Sequence, residues 1–245
     1  MSIPGLSDWL DTPQGRYLLD WEQTAFDQMV ADVFGYNALQ VGMGELDFLR
    51  ANRMAFRFRC GACAPAEVLG HEFELPFATA SLDLVLLPHV LEFSAQPHQV
   101  LREVERVLVP EGSVVISGFN PLSLWGAWRV GARRCGRFPW TGQFRTAMRI
   151  KDWLALLGFE VQPARFGCYV PAAASAAWLE RWRVLDRAGP RWWSGCGADY
   201  MLHGVKRVQG MRLITPKWRE ERRGAKALSP VAQRNGGGEI NKSEE

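Results

Sequence analysis

The chain has 245 residues, 47% of them apolar, and a formal charge of +3, which is length enough for one full core and fits a single decorated α/β domain better than two domains. No run approaches the roughly 20 apolar residues needed to span a bilayer, and the opening MSIPGLSDWL lacks the basic-then-apolar pattern of a secretory signal, so a cytoplasmic protein is expected. Residues 217–245 hold seven basic and five acidic residues, which leaves the rest nearly neutral and argues against a nucleic-acid partner.

The first predicted element is a long amphipathic helix. Thr12 suits its N-cap and Pro13 its first position, Tyr17, Leu18, Trp21, Ala25, Met29 and Val33 form the apolar stripe, and Gly35 ends it. Residues 38–42 read as a short buried strand ending in Gly-Met-Gly, followed by a helix-like stretch at 45–51; residues 54–59 and 66–70 supply the next two strands. Residues 82–87 are a continuous apolar run, as in a strand buried on both faces. Val100, Leu101, Val104, Val107 and Leu108 then fall at helical spacing opposite Arg102, Glu103, Glu105 and Arg106, with Pro97 in the opening turn. Val109-Pro110-Glu111-Gly112 suits a type I turn, and 113–117 resumes as a buried strand. A helix at 151–157 stopped by Gly158, a strand entered at 159–161, and a hairpin of 200–208 with 211–214 complete the pattern.

These elements predict an α/β fold with a Rossmann-like, doubly wound, mostly parallel sheet and helices on both faces. Residues 1–36 form an N-terminal helical cap, 37–216 the α/β domain with insertions near 122–150 and 165–199, and 217–245, where aromatics stop after Trp218, a disordered tail.

The stretch from Leu75 to Pro121 is the most informative. Leu75-Pro76-Phe77, Ser81-Leu82-Asp83-Leu84-Val85, Val90-Leu91-Glu92-Phe93 and Leu101-Arg102-Glu103 through Arg106-Val107-Leu108-Val109-Pro110-Glu111-Gly112 follow one another in a specific order and spacing. In this the chain resembles the type 11 branch of the class I S-adenosylmethionine-dependent methyltransferases, over roughly residues 38 to 120. The resemblance implies a seven-stranded sheet whose last strand is antiparallel, S-adenosylmethionine as cofactor, and cofactor contacts from Gln40, Gly42, Met43, Gly44, His71, Glu72, Phe73 and Pro88. The chain departs from the family where Gln40 replaces an acid, Leu46 a third glycine, and His71 the acid that faces the adenine; Arg59-Cys60-Gly61 offers no carboxylate for the ribose.

In an open parallel sheet, ligands sit beyond the carboxyl ends of the strands. There, Gly42 and Gly44 would let backbone approach a ligand closely. Methyl transfer asks mainly for alignment, and needs a base only when the acceptor is protonated. His89, following Pro88 at the end of a strand, is the candidate catalytic base; Asn120 and Trp21 are candidates for the substrate side. Asp83, His98 and His203 read as structural. The expected substrate is a small or lipophilic acceptor, with a catalytically silent methyltransferase-like binding module as the alternative. From Gly112 to Lys151 there is no acidic residue, and arginines alternate with Trp125, Trp128, Phe138, Trp140 and Phe144; a substrate-covering insertion and a peripheral membrane contact through 122–151 are both open. Five cysteines at irregular spacing suit reduced thiols, and the lone Cys60-Gly61-Ala62-Cys63 pair lacks a second ligand pair, so no metal is expected.

Overall fold

In the computed structural model, which describes residues 5–62, 65–132, 138–172 and 175–208, the apolar runs become the middle of one sheet. β1 (Asn37–Val41) and β4 (Leu82–Pro88) are buried almost throughout, as is β5 (Leu108–Phe119) beyond its opening turn; strands covered by helices on both faces must be so. β2 (Phe56–Gly61) and β3 (Val68–Leu69) extend the sheet on one side, and β6 (Phe159–Val161) and β8 (Asp199–Lys206) on the other. The order is β3-β2-β1-β4-β5-β8-β6, with β7 (Arg165–Gly167) pairing β8 off that path. The pairs among β1 to β5 are parallel, while β8 runs antiparallel to β5, β6 and β7. The doubly wound sheet and its antiparallel last strand are thus as expected, and β7, only three residues long, is an addition that periodicity could not reveal.

Eight helices surround it among the described residues: α1 (Leu6–Leu10), α2 (Pro13–Val30), α3 (Val90–Phe93), α4 (Pro97–Val107), α5 (Leu124–Ala132), α6 (Ala147–Leu156), α7 (Ala176–Trp182) and α8 (Val184–Trp192). Alternation along β4 sends Leu84 and Leu86 to one layer, with Phe26, Val30, Phe119 and Trp125, and Val85 and Leu87 to the other, with Val100, Val104, Ile150 and Leu154. Each fully buried Leu, Val, Ile or Phe contributes about 1.5–3 kcal/mol relative to exposure, so these two layers fix the sheet on which the site rests.

Three local expectations need correction. α2 starts as predicted, with Thr12 Oγ1 accepting from Gly15 N at 3.2 Å and Pro13 in the first turn, but it ends at Val30 rather than near Gly35. Asn52 Nδ2 donates to Val30 O and Val33 O, supplying the partners that terminal helix carbonyls need. Residues 45–51 form turns instead of a helix, because the Gln40 side chain captures their backbone groups. At 109–112, Glu111 has φ +64°, the left-handed value of a type II rather than a type I turn. Cys63, residues 211–214 and the 217–245 tail lie outside the described residues.

Candidate functional site

The sheet order reverses between β1 and β4, and the loops that follow these two strands meet there. Gly42 takes φ +78° as the chain leaves β1, and Met43 follows at +44°. A Cβ on Gly42 would lie 3.1 Å from Val90 Cγ2, just past Pro88, so glycine is needed both for the backbone angle and for the close approach. Gln40 holds this bend from inside: its Nε2 donates to Gly42 O, Met43 O and Leu46 O at 2.9–3.2 Å, and its Oε1 accepts from Phe48 N at 3.0 Å. The amide that replaces the family's acid therefore serves the loop itself. Arg59 Nη1 donates to Gly44 O at 3.2 Å and its Nη2 to Glu67 Oε1 at 3.0 Å, tying the β1 loop to the β2–β3 connection. That guanidinium holds the Glu67 carboxyl below its usual range. In the next loop His71 stacks on Phe73 with ring centroids 5.4 Å apart, and Glu72 between them is buried. Gly70 before them is obligatory, since a Cβ would press on Pro76 at 2.8 Å and on Cys60 Sγ at 3.1 Å. The β1 loop thus offers a glycine-bent main chain, the next loop a stacked ring pair, and Arg59 a guanidinium that is spent on the protein's own carbonyl and carboxylate.

Beyond β4 the chain does something the sequence did not announce. His89 takes φ +52° and is wholly buried, with its ring stacked on Phe119 at 4.2 Å. Nδ1 lies 3.2 Å from Glu92 Oε1 and Nε2 lies 3.0 Å from Glu22 Oε1. Glu92 Oε1 also accepts from Phe119 N. Asp199, opening β8, is buried beside them, so α2, the β4 loop, α3 and β8 each deliver one ionisable side chain to the same place. Burial alone pulls the His89 imidazole down, but the Glu22 and Glu92 carboxylates together outweigh it and hold the ring well above its usual value. Burial, and next the charge of Glu22, push the Asp199 carboxyl well above its ordinary range, with His89 opposing. The expectation of a His89 facing an open site is corrected accordingly: both ring nitrogens face carboxylates of the chain's own.

Asn120 is also engaged internally. Its Nδ2 donates to Gly195 O at 2.8 Å and Gly197 O at 3.0 Å, and its Oδ1 accepts from Leu122 N at 3.0 Å, which pins the β5–α5 loop to the chain before β8. Trp21, by contrast, lines two adjoining clefts of about 280 and 500 Å³ with Thr24, Phe166, Tyr169 and Pro190. The indole lies so close to β7 that a Cβ on Gly167 would fall 1.9 Å from Trp21 Cε2.

In the 122–151 segment the described arginines act as staples. Arg129 donates to Trp140 O and Gly142 O and lies over the Phe144 ring at 4.7 Å; Arg145 donates to Leu91 O and Gln143 O. Trp125 is fully buried and donates to Val170 O at 2.8 Å.

Sequence reasoning missed Glu22, Glu92 and Asp199. A signal existed for the first: Glu22 falls in the row Leu18, Glu22, Phe26, Val30, four residues apart on the buried face of α2. Glu92 likewise sits within the apolar run Val90–Phe93. Asp199 carries no comparable mark.

A parallel sheet in this order with one antiparallel inner strand, and a glycine-bent loop at the switch point, define the class I methyltransferase fold. Residues 47–116 match the family described as a methyltransferase domain, a match that begins just after the Gly42–Gly44 bend. Over those residues, less than a third of its length, the chain is similar to the methyltransferase domains of that family. Among curated proteins it is 32% identical over 165 residues to the uncharacterized protein YafS of Escherichia coli, covering 62% of this chain and 65% of that one, a little under two thirds of the relative's length. Among solved structures, S-adenosylmethionine-dependent methyltransferases of Thermotoga maritima and Archaeoglobus fulgidus share the fold. Their TM-scores are 0.55 and 0.54, each at 16% identity, covering 78% and 76% of this chain and 97% and 94% of theirs.

Proposed function

We propose that this chain is an S-adenosylmethionine-dependent methyltransferase of a small or lipophilic acceptor. The observation that carries the proposal is the loop after β1, bent at Gly42 and packed against Val90 at the topological switch point. Gly42, Met43 and Gly44, in the bend that Gln40 holds from inside, would bind the cofactor from one side, His71, Glu72 and Phe73 from the adenine side, and Pro88 from the floor. When bound, the cofactor supplies a methyl group already activated by its sulfonium. What remains for the protein is placement: Trp21, Phe166 and Tyr169 would orient an apolar acceptor along the cleft and exclude water, a contribution worth up to about 7–11 kcal/mol when alignment is complete. Asn120 would act on the substrate side by fixing the loop that walls it.

A lipophilic acceptor is favoured by a second groove of about 730 Å³ lined by Leu124, Ala127, Trp128, Pro171, Ala172 and Trp178. Exposed Leu122 and Val130 flank it in sequence, and a peripheral contact with lipid would deliver such an acceptor. No described helix is long and apolar enough to cross a membrane, and a cytoplasmic setting accords with that surface role.

Calorimetric titration with S-adenosylmethionine and its demethylated product tests the proposal: binding in the micromolar range is expected, abolished by Gly42→Val, and absence of binding at millimolar ligand would reject it. The silent binding module is the second reading, favoured by the Arg59 bridge and by the β2–β3 loop, whose Ala66 N would lie 3.6 Å from a Cβ on Gly44. Turnover of any acceptor would end that reading.

A further inference from the structure

The buried cluster at the ends of β4 and β8 is short of partners. Both Glu22 oxygens, His89 Nε2, Glu92 Oε2 and both Asp199 oxygens are out of contact with solvent and make no hydrogen bond within the described residues. The 3.0 Å approach of Glu22 Oε1 to His89 Nε2 is within ion-pair reach but lacks hydrogen-bond alignment. Removing so many polar atoms from water without partners carries a desolvation penalty at each of them, and three carboxyl groups around one imidazole crowd acidic oxygens into the interior. Such a set calls for a cation.

We infer that Glu22, His89 and Asp199 form a buried site for a divalent first-row metal ion. One donor atom from each lies within 4.8 Å of the other two, and the 3.0 Å separation of Glu22 Oε1 and His89 Nε2 matches the edge of an octahedron with bonds of about 2.1 Å. The rest of the cluster is arranged as ligand support. Glu92 Oε1, fixed by Phe119 N, faces His89 Nδ1 at 3.2 Å; a proton on Nδ1 leaves the Nε2 lone pair free beside a Glu22 oxygen 3.0 Å away, the carboxylate–histidine–metal arrangement. The left-handed backbone at His89 aims the ring into this position. One imidazole and two carboxylates form a hard-to-intermediate donor set suited to Mn²⁺, Fe²⁺ or Co²⁺. Cys168, which lines the 280 Å³ cleft, has its thiol pushed up by burial and next by the charge of Asp199, with Asp186 and Glu22 adding to it. The site does not depend on methyl transfer, and it revises the expectation drawn from the cysteines, because its ligands come from three distant parts of the chain.

The test uses the full chain without a histidine tag. Chelator-treated protein is titrated with Mn²⁺ by calorimetry and with Co²⁺ by visible absorption, and thermal unfolding is followed with and without metal. One ion per chain, a d–d spectrum and a raised melting temperature are expected. Asp199→Asn and Glu22→Gln should abolish the binding, Glu92→Gln should weaken it about 10–100-fold, and His98→Gln, on the surface of α4, should leave it unchanged. Folded wild-type protein that neither binds Mn²⁺ or Co²⁺ nor gains thermal stability at millimolar metal would overturn the site, whatever the variants do, and would mean that the cluster shares protons instead. Since neither readout involves S-adenosylmethionine, failure here and failure of the methyltransferase proposal are separate results.

Discussion

Asn120 shows how one side chain can hold two loops while standing where a substrate was expected. Its carboxamide joins the end of β5 to residues 195–197, and Ser123 Oγ, donating to Asn120 O at 2.7 Å, completes the turn. Asn120→Ala would leave the buried Gly197 carbonyl without a partner and strip the part-buried Gly195 carbonyl and Leu122 amide of theirs, and a loss of about 1–3 kcal/mol in urea unfolding is expected. His203, on β8, behaves differently. Burial, helped by the charge of Arg165, lowers its pKa from the usual 6.5, and Nε2 has no partner. A histidine kept neutral in the fold contributes stability that is complete above the unfolded value and is lost as pH falls through the folded one. The urea midpoint should therefore drop on the acid side of the usual histidine range, and His203→Gln should flatten that part of the profile.

At the scale of elements, the docked 122–151 segment depends on arginine geometry more than on arginine charge. Arg129 reaches two backbone carbonyls and one aromatic face at once, which a planar fork can do and an ammonium cannot. Both Arg129→Ala and Arg129→Lys should release the 138–145 stretch, with faster hydrogen exchange there and a cost of about 1.5–3 kcal/mol. The elements themselves were largely legible. α4 and the β4–β5 pair announce themselves because an 11-residue helix and two long apolar strands have room to display a period. β7, three residues long, has none to display, whereas the two residues of β3 fall inside the strand expected at 66–70. The carboxyl-edge glycines were legible as well, since their chemistry is local. The acidic cluster was not, because Glu22, Glu92 and Asp199 become neighbours only when α2 crosses the sheet and β8 inserts beside β5.

Among the described residues, several large apolar side chains on and beside α5 stand outside the core. Leu122 is 70% exposed, Trp128 61% and Val130 81%, on and just before α5. Scattered apolar residues are ordinary, but Leu124 and Trp128, one turn apart on α5, share a groove with Trp178, and such an apolar groove suits a lipid surface. The chain should co-sediment with anionic vesicles, and Trp128→Ser should lower that partition about tenfold, the factor that 1.4 kcal/mol represents. Partition unchanged by the substitution would remove the lipid-contact proposal and leave the fold untouched.

The place of β8 has a consequence for biosynthesis. It pairs with β5 along seven residues and with β6 on its other side, so the slot between those strands stays empty until residues 199–206 emerge from the ribosome. Until then the growing polypeptide carries the bare edge of a strand that is buried in the finished fold, Val114 to Phe119, with no neighbour to cover it. A nascent chain of this design must finish folding after most of its length has been made, and it would lean on holdase chaperones in the interval.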